Sequence, residues 1–281
     1  MDQYQRGGLT FDVLDRGPAD GVPVVLLHGW PQFNTSWDGV ADRLVAHGYR
    51  CLAPNQRGYS PRARPMRRRD YTSDELVADV VALLDAAGLP KVHLVGHDWG
   101  AAVAWGVAAQ APDRLATLTA LSVPHPAAFL KAIPTSRQGL SSWYIYAFQF
   151  PKIPEKILSR PGDRGLAGML QRLTGQSAAA ARRDAERLTA DPSLLTASLN
   201  WYRAMPLTDV RKVGGKITVP TMYVWSDGDT ALREKGARDT ARYVAGEYRF
   251  EVLAGLTHWL PDESPDTVAD LLLDWFATHP L

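Results

Sequence analysis

Cysteine is almost missing from this chain of 281 residues, in which Cys51 is the only one. An internal disulfide is therefore excluded, and the apolar run around Cys51 predicts a small core residue. Long apolar runs are missing as well, since none approaches the roughly 20 residues that a bilayer-spanning helix needs. Residues 1–8 are polar and lack the apolar centre of a signal peptide. We therefore expect a cytoplasmic protein without a membrane partner.

An excess of one charge is also missing, because 31 lysines and arginines balance 30 aspartates and glutamates, for a formal net charge of +1. Such a balance provides no general attraction for nucleic acid, so none is expected as a partner. The local exception, Arg67-Arg68-Arg69, is interpreted as a solvated loop. The length is large for one compact unit and small for two independent domains, which favours one catalytic domain with an insertion. The sequence leaves both a monomer and a homodimer open.

Patterns for bound metals and cofactors are missing too. His93 and His97 are four residues apart, but they lie on a strand-like stretch, and no acidic or cysteine partner completes a zinc pattern. The chain has neither a glycine-rich phosphate loop nor a dinucleotide-binding fingerprint. We therefore expect no metal and no cofactor.

What the sequence does contain is an alternation of strand-like and helix-like stretches. The strand-like stretches are apolar on both faces, which favours an α/β fold with a mostly parallel sheet covered by helices on both sides. The alternation lapses in a helical, aromatic-rich region, which predicts a core of residues 1–124 and 213–281 and an inserted helical cap of residues 125–212. The predicted strands are Val22–His28, Arg50–Pro54, Val92–Val95, Leu115–Val123, Thr221–Trp225 and Tyr248–Leu253, and the clearest predicted helices are Thr72–Ala87, Ala101–Gln110 and Pro265–Ala277.

The most informative segment is Gly96-His97-Asp98-Trp99-Gly100, which lies between a predicted strand and a predicted helix. A central residue with one glycine two positions before it and another two positions after it is typical of a nucleophile elbow. This turn is so tight that only very small residues fit at those two positions. The elbow would expose Asp98 above the sheet at the N-terminus of a helix, where backbone N–H groups favour negative charge. The alternative interpretation is that Asp98 only caps the helix.

An aspartate in this position indicates displacement at a saturated carbon. A serine that attacks such a carbon would form an ether, which water does not readily cleave, whereas a carboxylate forms an ester that water can cleave at its carbonyl. Epoxides and carbon–halogen bonds are suitable electrophiles. We therefore predict that Asp98 forms a transient alkyl ester.

Three further segments supply the groups that this chemistry needs. His28-Gly29-Trp30-Pro31 could place the N–H of Trp30 beside that of Trp99, which together would form an oxyanion hole. His258 follows the last predicted strand and is the candidate general base. Asp229 is the preferred acid for this histidine, with the nearby Asp227 as a loop-forming residue. The order nucleophile, acid, histidine is that of hydrolase-fold enzymes.

Taken together, these segments resemble the α/β-hydrolase-fold epoxide hydrolases, and the resemblance spans nearly the whole chain. It implies that Asp98 is the nucleophile, His258 the base that activates water and Asp229 the acid that orients it. The family also has two cap tyrosines that bind the epoxide oxygen, which the resemblance assigns to Tyr202 and Tyr144, with Tyr146 as the second choice for the latter. A small apolar epoxide and water would then give a vicinal diol.

Related enzymes give alternatives. Haloalkane dehalogenases use the same nucleophile and bind halide through the Trp that follows it, here Trp99, together with either an Asn or a Trp of the cap. This chain has Trp30 at the position of that Asn, whereas Trp143 or Trp201 could serve as the cap Trp. Fluoroacetate dehalogenases have an arginine in place of Trp99, which argues against a carboxylate-bearing substrate. A catalytically silent ligand-binding protein of this fold is a further alternative. The predicted substrate-binding residues are His28, Pro31, Trp143 and Trp201.

Overall fold

The strands that are apolar on both faces form the centre of an eight-stranded sheet in the computed structural model, which describes residues 1–281. The strand order is β1-β2-β4-β3-β5-β6-β7-β8, and every pair from β4 to β8 is parallel. The first two strands are antiparallel to each other, and β2 is antiparallel to β4. The strands are β1 Gln3–Arg6, β2 Leu9–Arg16, β3 Val22–Leu27, β4 Tyr49–Pro54, β5 Val92–His97, β6 Leu115–Leu121, β7 Thr221–Ser226 and β8 Tyr248–Leu253.

Helices cover both faces of the sheet because successive side chains of a strand point to opposite sides. On β3, Val25 and Leu27 pack in the same core as α2 and α3, whereas Val24 and Leu26 pack against α1 and α14. The helices are α1 Asp38–Ala46, α2 Ser73–Ala86, α3 Trp99–Gln110, α4 Pro126–Thr135, α5 Gln138–Ser141, α6 Trp143–Ala147, α7 Ile153–Leu158, α8 Leu166–Thr174, α9 Ala178–Thr189, α10 Pro192–Ala204, α11 Val210–Val213, α12 Glu234–Asp239, α13 Leu260–Glu263 and α14 Pro265–Ala277.

The predicted fold class is confirmed, and most predicted elements lie within a few residues of the observed ones. The last strand and the last helix have the predicted bounds. Cys51 is buried in the core below α1, and Arg67-Arg68-Arg69 is exposed. The antiparallel hairpin of β1 and β2 was not predicted, because half of it is a polar four-residue strand at the sheet edge with little hydrophobic pattern.

The chain between β6 and β7 forms the helices α4 to α11 and contributes no strand to the sheet. Two tryptophans join this segment to the sheet: Nε1 of Trp30 donates to Oγ of Ser198 at 3.2 Å, and Nε1 of Trp201 donates to the carbonyl of Arg57 at 2.8 Å. These bonds hold α10 over the turns that follow β3 and β4.

The division into core and cap domains at residues 125 and 212 stays a prediction. None of the helices combines the length and the apolar character that crossing a bilayer requires.

Candidate active site

Asp98 lies in a strained turn between β5 and α3. Its φ of 51° and ψ of −122° fall in a region that non-glycine residues rarely adopt. A Cβ atom on Gly96 would overlap the backbone of Gly100, and one on Gly100 would overlap the backbone of Leu27. The spacing of the two glycines is therefore a steric requirement of the turn, which lifts Asp98 to the start of α3.

The two oxygens of the Asp98 carboxylate have different partners. Oδ1 accepts the backbone N–H of Trp30 at 2.8 Å, and the backbone N–H of Trp99 contributes to a lowered pKa of the carboxylate. Oδ2 lies 3.3 Å from Nε2 of His258. Burial raises the pKa of Asp98, but the hydrogen bond and positive charge of His258 outweigh it, so the net pKa is lowered. The carboxylate is therefore ionised near neutral pH, with Oδ1 fixed and Oδ2 facing the imidazole.

The other side of His258 contacts an aspartate. Nδ1 of the imidazole lies 2.7 Å from Oδ2 of Asp229, whose Oδ1 accepts the N–H groups of Ala231 and Leu232 at 2.8 and 2.9 Å. Asp227 is exposed and instead accepts the N–H of Gly255 at 2.7 Å. The structure thus brings Asp229, rather than Asp227, to the histidine, and gives Asp227 a position within the loop.

The pKa of His258 is strongly perturbed by its two acidic neighbours. Burial lowers this pKa, but the charge and hydrogen bond of Asp229, followed by those of Asp98, raise it to about 10. At neutral pH the imidazole is therefore a cation held between two carboxylates. Any change that neutralises one carboxylate must lower this pKa.

Two residues that the sequence did not reveal hold the histidine loop in place. Nε2 of His97 donates to the carbonyl of His258 at 2.8 Å, and Oγ of Ser122 donates to the same oxygen at 2.9 Å. Burial, followed by repulsion from His258, lowers the pKa of His97 to about 4, so its ring is neutral. The partners are 161 and 136 residues apart in sequence, so no local pattern marks the contact.

Tyr144 and Tyr202 face Asp98 from the helical segment. Their ring centroids are 5.9 Å apart, and Tyr202 also packs edge-on against Trp99 at 5.0 Å. Burial, followed by the charge of Asp98, raises the pKa of both phenols, so each is a neutral hydrogen-bond donor. Tyr146 is 60% exposed and borders neither cavity described below. The structure therefore brings Tyr144, and not Tyr146, to the nucleophile.

Two cavities meet at the carboxylate. Asp98, Tyr144 and Tyr202 border both of them. The first cavity has a volume of about 390 Å³ and also contacts His258 and the half-exposed Trp143. The second has a volume of about 230 Å³ and has a mainly apolar wall that includes Trp99 and Trp201. A bound molecule could therefore extend from Asp98 in two directions.

His28 and Pro31 border neither cavity. Nε2 of His28 accepts the backbone N–H of Gln56 at 3.1 Å, and its Nδ1 lies 3.0 Å from the carbonyl of Gly29. Burial lowers the pKa of His28 to about 4. Its position supports a structural role, in which a neutral ring fixes the turn that carries Trp30, instead of the predicted contact with substrate.

Comparison with known proteins agrees with this fold. A family model described as alpha/beta hydrolase fold matches residues 22–265. The AB hydrolase superfamily protein YfhM of Bacillus subtilis (strain 168) is 35% identical over 272 residues, which cover 95% of this chain and 94% of that protein. Epoxide hydrolase A of Mycobacterium tuberculosis is 32% identical over 305 residues, covering 95% of this chain and 94% of the relative. The crystal structure of Epoxide Hydrolase A from Mycobacterium thermoresistibile has a TM-score of 0.87 at 28% identity and covers 99% of this chain and 98% of its own. The chain therefore belongs to the alpha/beta-hydrolase-fold family, among relatives that include epoxide hydrolases.

Proposed function

We propose that this protein hydrolyses an epoxide to a vicinal diol through an alkyl ester on Asp98. The observation that carries the proposal is the environment of one carboxylate: Oδ1 accepts the N–H of Trp30 at 2.8 Å, and Oδ2 lies 3.3 Å from His258. Two buried phenols border the same space. The relatives named epoxide hydrolase support the choice of an epoxide over other alkyl electrophiles.

In the first step, Oδ2 of Asp98 attacks an epoxide carbon and the C–O bond of the ring breaks. Tyr144 and Tyr202 donate hydrogen bonds to the leaving oxygen, which takes a proton from one phenol. The resulting phenolate recovers a proton from the His258 imidazolium. The products of this step are a hydroxyalkyl ester of Asp98 and a neutral imidazole.

The second step depends on the charge lost in the first. Ester formation removes the negative charge of Asp98, one of the two charges that raise the pKa of His258. The neutral imidazole, oriented by Asp229, takes a proton from water, and the water oxygen attacks the ester carbonyl. The N–H of Trp30 already donates to Oδ1, the oxygen on which the oxyanion forms, and the N–H of Trp99 would supply the second donor.

Collapse of this intermediate restores the starting state. The departing diol oxygen takes the proton from His258, and the new carboxyl group of Asp98 returns its own proton to the imidazole. One oxygen of the carboxylate now comes from water. The balance is one epoxide and one water converted to one diol, with no cofactor in the scheme.

Trapping of the ester tests the proposal. In the His258→Gln variant the phenolate must recover its proton from water instead of His258, so the ester still forms, but its hydrolysis lacks a base. Incubation with styrene oxide should therefore add the mass of one epoxide to the protein, on the peptide that contains Asp98. Asp98→Asn is the control and should give no adduct. In H₂¹⁸O, one turnover of the wild-type protein should place ¹⁸O in Asp98. An adduct on another residue, or ¹⁸O only in the diol after the first turnover, would contradict the scheme.

Two alternatives have distinct outcomes. A haloalkane dehalogenase would bind halide through the indole N–H groups of Trp99 and of a Trp in the helical segment, and of the two candidates there Trp201 already donates to the carbonyl of Arg57. The two buried tyrosines beside Asp98, which have no evident role with a halide, and the relatives named epoxide hydrolase favour the epoxide. A side-by-side panel of epoxides and haloalkanes, scored for diol and for halide, would reverse the choice if halide alone were released. A silent binding protein would retain ligands without forming either product.

A further inference from the structure

The outer side of the helical segment exposes an unusual set of apolar side chains. The exposed aromatic residues of the chain are Trp143, Tyr146 and Phe150, all within residues 143–150. Three aliphatic residues extend this stretch to a set hereafter named the α5–α7 face, whose members are 44% to 77% exposed: Leu140, Trp143, Tyr146, Phe150, Ile153 and Ile157. Exposed apolar residues that cluster in this way mark a surface that binds another molecule.

One buried arginine holds the two ends of the α5–α7 face together. Nε and Nη2 of Arg203, on α10, donate to the carbonyls of Phe148 and Phe150 at 3.0 and 2.9 Å, which fixes the turn between α6 and α7. The same guanidinium pairs with Glu155 on α7 at 2.8 Å. The exposed apolar residues of α6 and α7 therefore belong to one surface with a fixed shape.

The surroundings of the α5–α7 face are strongly basic. Residues 126–174 contain seven lysines and arginines but only two acidic residues, a net charge of +5 in a chain whose total is +1. All seven basic side chains are exposed and none forms an ion pair, whereas one of the two acids, Glu155, is paired with Arg203. The basic residues nearest in sequence to the exposed apolar ones are Arg137, Lys152, Lys156, Arg160 and Arg164. The overall balance of charge thus conceals a local excess that would attract an anionic surface.

The α5–α7 face also adjoins the route to the nucleophile. Leu140 and Trp143 border the first cavity, which reaches Asp98, and both are at least half exposed, so they lie where this cavity opens to solvent. Tyr144, the neighbour of Trp143 on α6, borders the same cavity beside Asp98. A molecule that covers the α5–α7 face would therefore lie at the opening of the first cavity.

We propose that the α5–α7 face binds peripherally to an anionic lipid bilayer. Its aromatic and aliphatic side chains would enter the headgroup region, where tryptophan and tyrosine are favoured because their rings are amphipathic. Each lysine or arginine close to an anionic surface strengthens binding by about fivefold. The proposal departs from the expectation of no membrane partner, which rested on the absence of a bilayer-spanning run. Under the function proposed above, docking would also bring the first cavity to the lipid phase, into which apolar epoxides partition.

Two other occupants fit this surface less well. A second copy of the chain, paired through the same face, would bring two surfaces of equal positive charge together. A single-stranded nucleic acid would match the charge and could stack on the aromatic rings, but Leu140, Ile153 and Ile157 are aliphatic and offer no ring for a base. The combination of aliphatic, aromatic and basic side chains favours the bilayer.

Vesicle binding tests the proposal. The probes are large unilamellar vesicles of phosphatidylcholine alone, and of phosphatidylcholine mixed equally with phosphatidylglycerol, in sedimentation assays at low salt. We expect the wild-type protein to bind the anionic vesicles at least about tenfold more tightly, and about 0.5 M NaCl to remove most of this preference. Trp143 is the only exposed tryptophan, so brominated lipid should quench the fluorescence of the wild-type protein more than that of Trp143→Phe. Equal binding to both kinds of vesicle, or binding to neither, would overturn the proposal.

Variants assign the binding to the α5–α7 face. Lys152→Gln combined with Lys156→Gln should weaken binding to the anionic vesicles by about 25-fold, because two charges are lost. Phe150→Ser should weaken it by about tenfold, because an aromatic ring no longer enters the bilayer. The side chains of all three residues border neither cavity. Without vesicles, these variants should therefore retain the thermal unfolding midpoint of the wild-type protein and its kcat with styrene oxide.

The loop that contains Arg67-Arg68-Arg69 provides matched controls, because it is also exposed and basic. Arg67→Gln combined with Arg68→Gln removes the same charge as the lysine variant, and Met66→Ser removes an exposed apolar side chain. Both should bind anionic vesicles nearly as well as the wild-type protein. Loss of binding in these loop variants, with retention in the variants of the α5–α7 face, would overturn the proposal.

The outcome for the bilayer is separable from that for the proposed function, because vesicle binding needs no turnover. Binding without hydrolysis of any epoxide would support the α5–α7 face as a docking surface and refute only the proposed reaction. Hydrolysis without vesicle binding would do the reverse. A dimer in solution that Phe150→Ser dissociates, or a single-stranded oligonucleotide that binds this face in preference to vesicles, would assign the face to another occupant and overturn the proposal.

Discussion

Nε2 of His258 lies 3.3 Å from Oδ2 of Asp98, while Nδ1 of the same ring lies 2.7 Å from Asp229. This double contact holds the histidine as a cation in the resting protein, although the proposed second step needs it as a base. The conflict is resolved if the ester, which is neutral, removes one of the two stabilising charges. Formation of the intermediate would then itself generate the base.

The Asp98→Asn variant imitates the neutral ester and isolates this effect. The pKa of His258, raised to about 10 in the native protein by Asp229 and Asp98, should be lower in the variant because only Asp229 remains charged. NMR titration of the imidazole measures this pKa directly. An equal or higher pKa in Asp98→Asn would show that the nucleophile does not control the protonation of the base.

The same coupling predicts how stability depends on pH. The pKa of His258 is higher in the folded protein, about 10, than the ordinary value of 6.5, so its contribution to stability is complete below about pH 6.5 and is lost as the pH rises towards 10. The free energy of unfolding of the wild-type protein, measured in urea, should therefore fall over this interval. The fall should end at a lower pH in Asp98→Asn, and an identical profile would contradict the assignment.

The two aspartates of the acid loop should differ sharply in their effect on turnover. Asparagine at position 229 can still accept the N–H groups of Ala231 and Leu232 but presents an amide group to Nδ1 of His258. We expect Asp229→Asn to lower kcat by about 10³- to 10⁴-fold, as for other triad acids. Asp227→Asn, which alters an exposed contact with Gly255, should retain kcat within a few-fold. Steady-state kinetics with one epoxide measures both, and the reverse order of effects would exchange their roles.

The tyrosines give a test with an internal control. Tyr144→Phe and Tyr202→Phe each remove one donor to the leaving oxygen, and we expect the double variant to lose about 10²- to 10⁴-fold in the rate of ester formation. Each single variant should lose less, because the other phenol still donates. Tyr146→Phe alters an exposed ring outside both cavities and should be neutral. Single-turnover kinetics separates ester formation from its hydrolysis, and a slow step confined to hydrolysis would contradict this role.

The nucleophile turn was predictable because its requirements are local. The glycines around Asp98, the strand before it and the helix after it lie within one short segment, and steric crowding leaves little choice of residue. The sheet was predictable for a similar reason, since strands buried on both faces need no partner information to be recognised.

Contacts between distant segments were not predictable. The bonds from His97 and Ser122 to the carbonyl of His258 exist only once the chain is folded. The position of His28 in the motif His28-Gly29-Trp30-Pro31 suggested a contact with substrate. In the structure, both ring nitrogens of His28 instead lie within hydrogen-bond distance of backbone groups of Gln56 and Gly29. The motif predicted which residues are near the site but not which of them face the cavity.

Gly29 offers a last test of how tightly the nucleophile is enclosed. A Cβ atom there would overlap the side chain of Asp98 and lie 2.6 Å from its Oδ1. Gly29→Ala should therefore displace the carboxylate from the N–H of Trp30 and lower the free energy of unfolding by about 1–3 kcal/mol, together with turnover. Gly215→Ala is the control, because that glycine is exposed with open space around it, and the change should be neutral or slightly stabilising. Urea denaturation and epoxide turnover measure the two effects, and a fully active, fully stable Gly29→Ala variant would show that the oxyanion contact is looser than these distances imply.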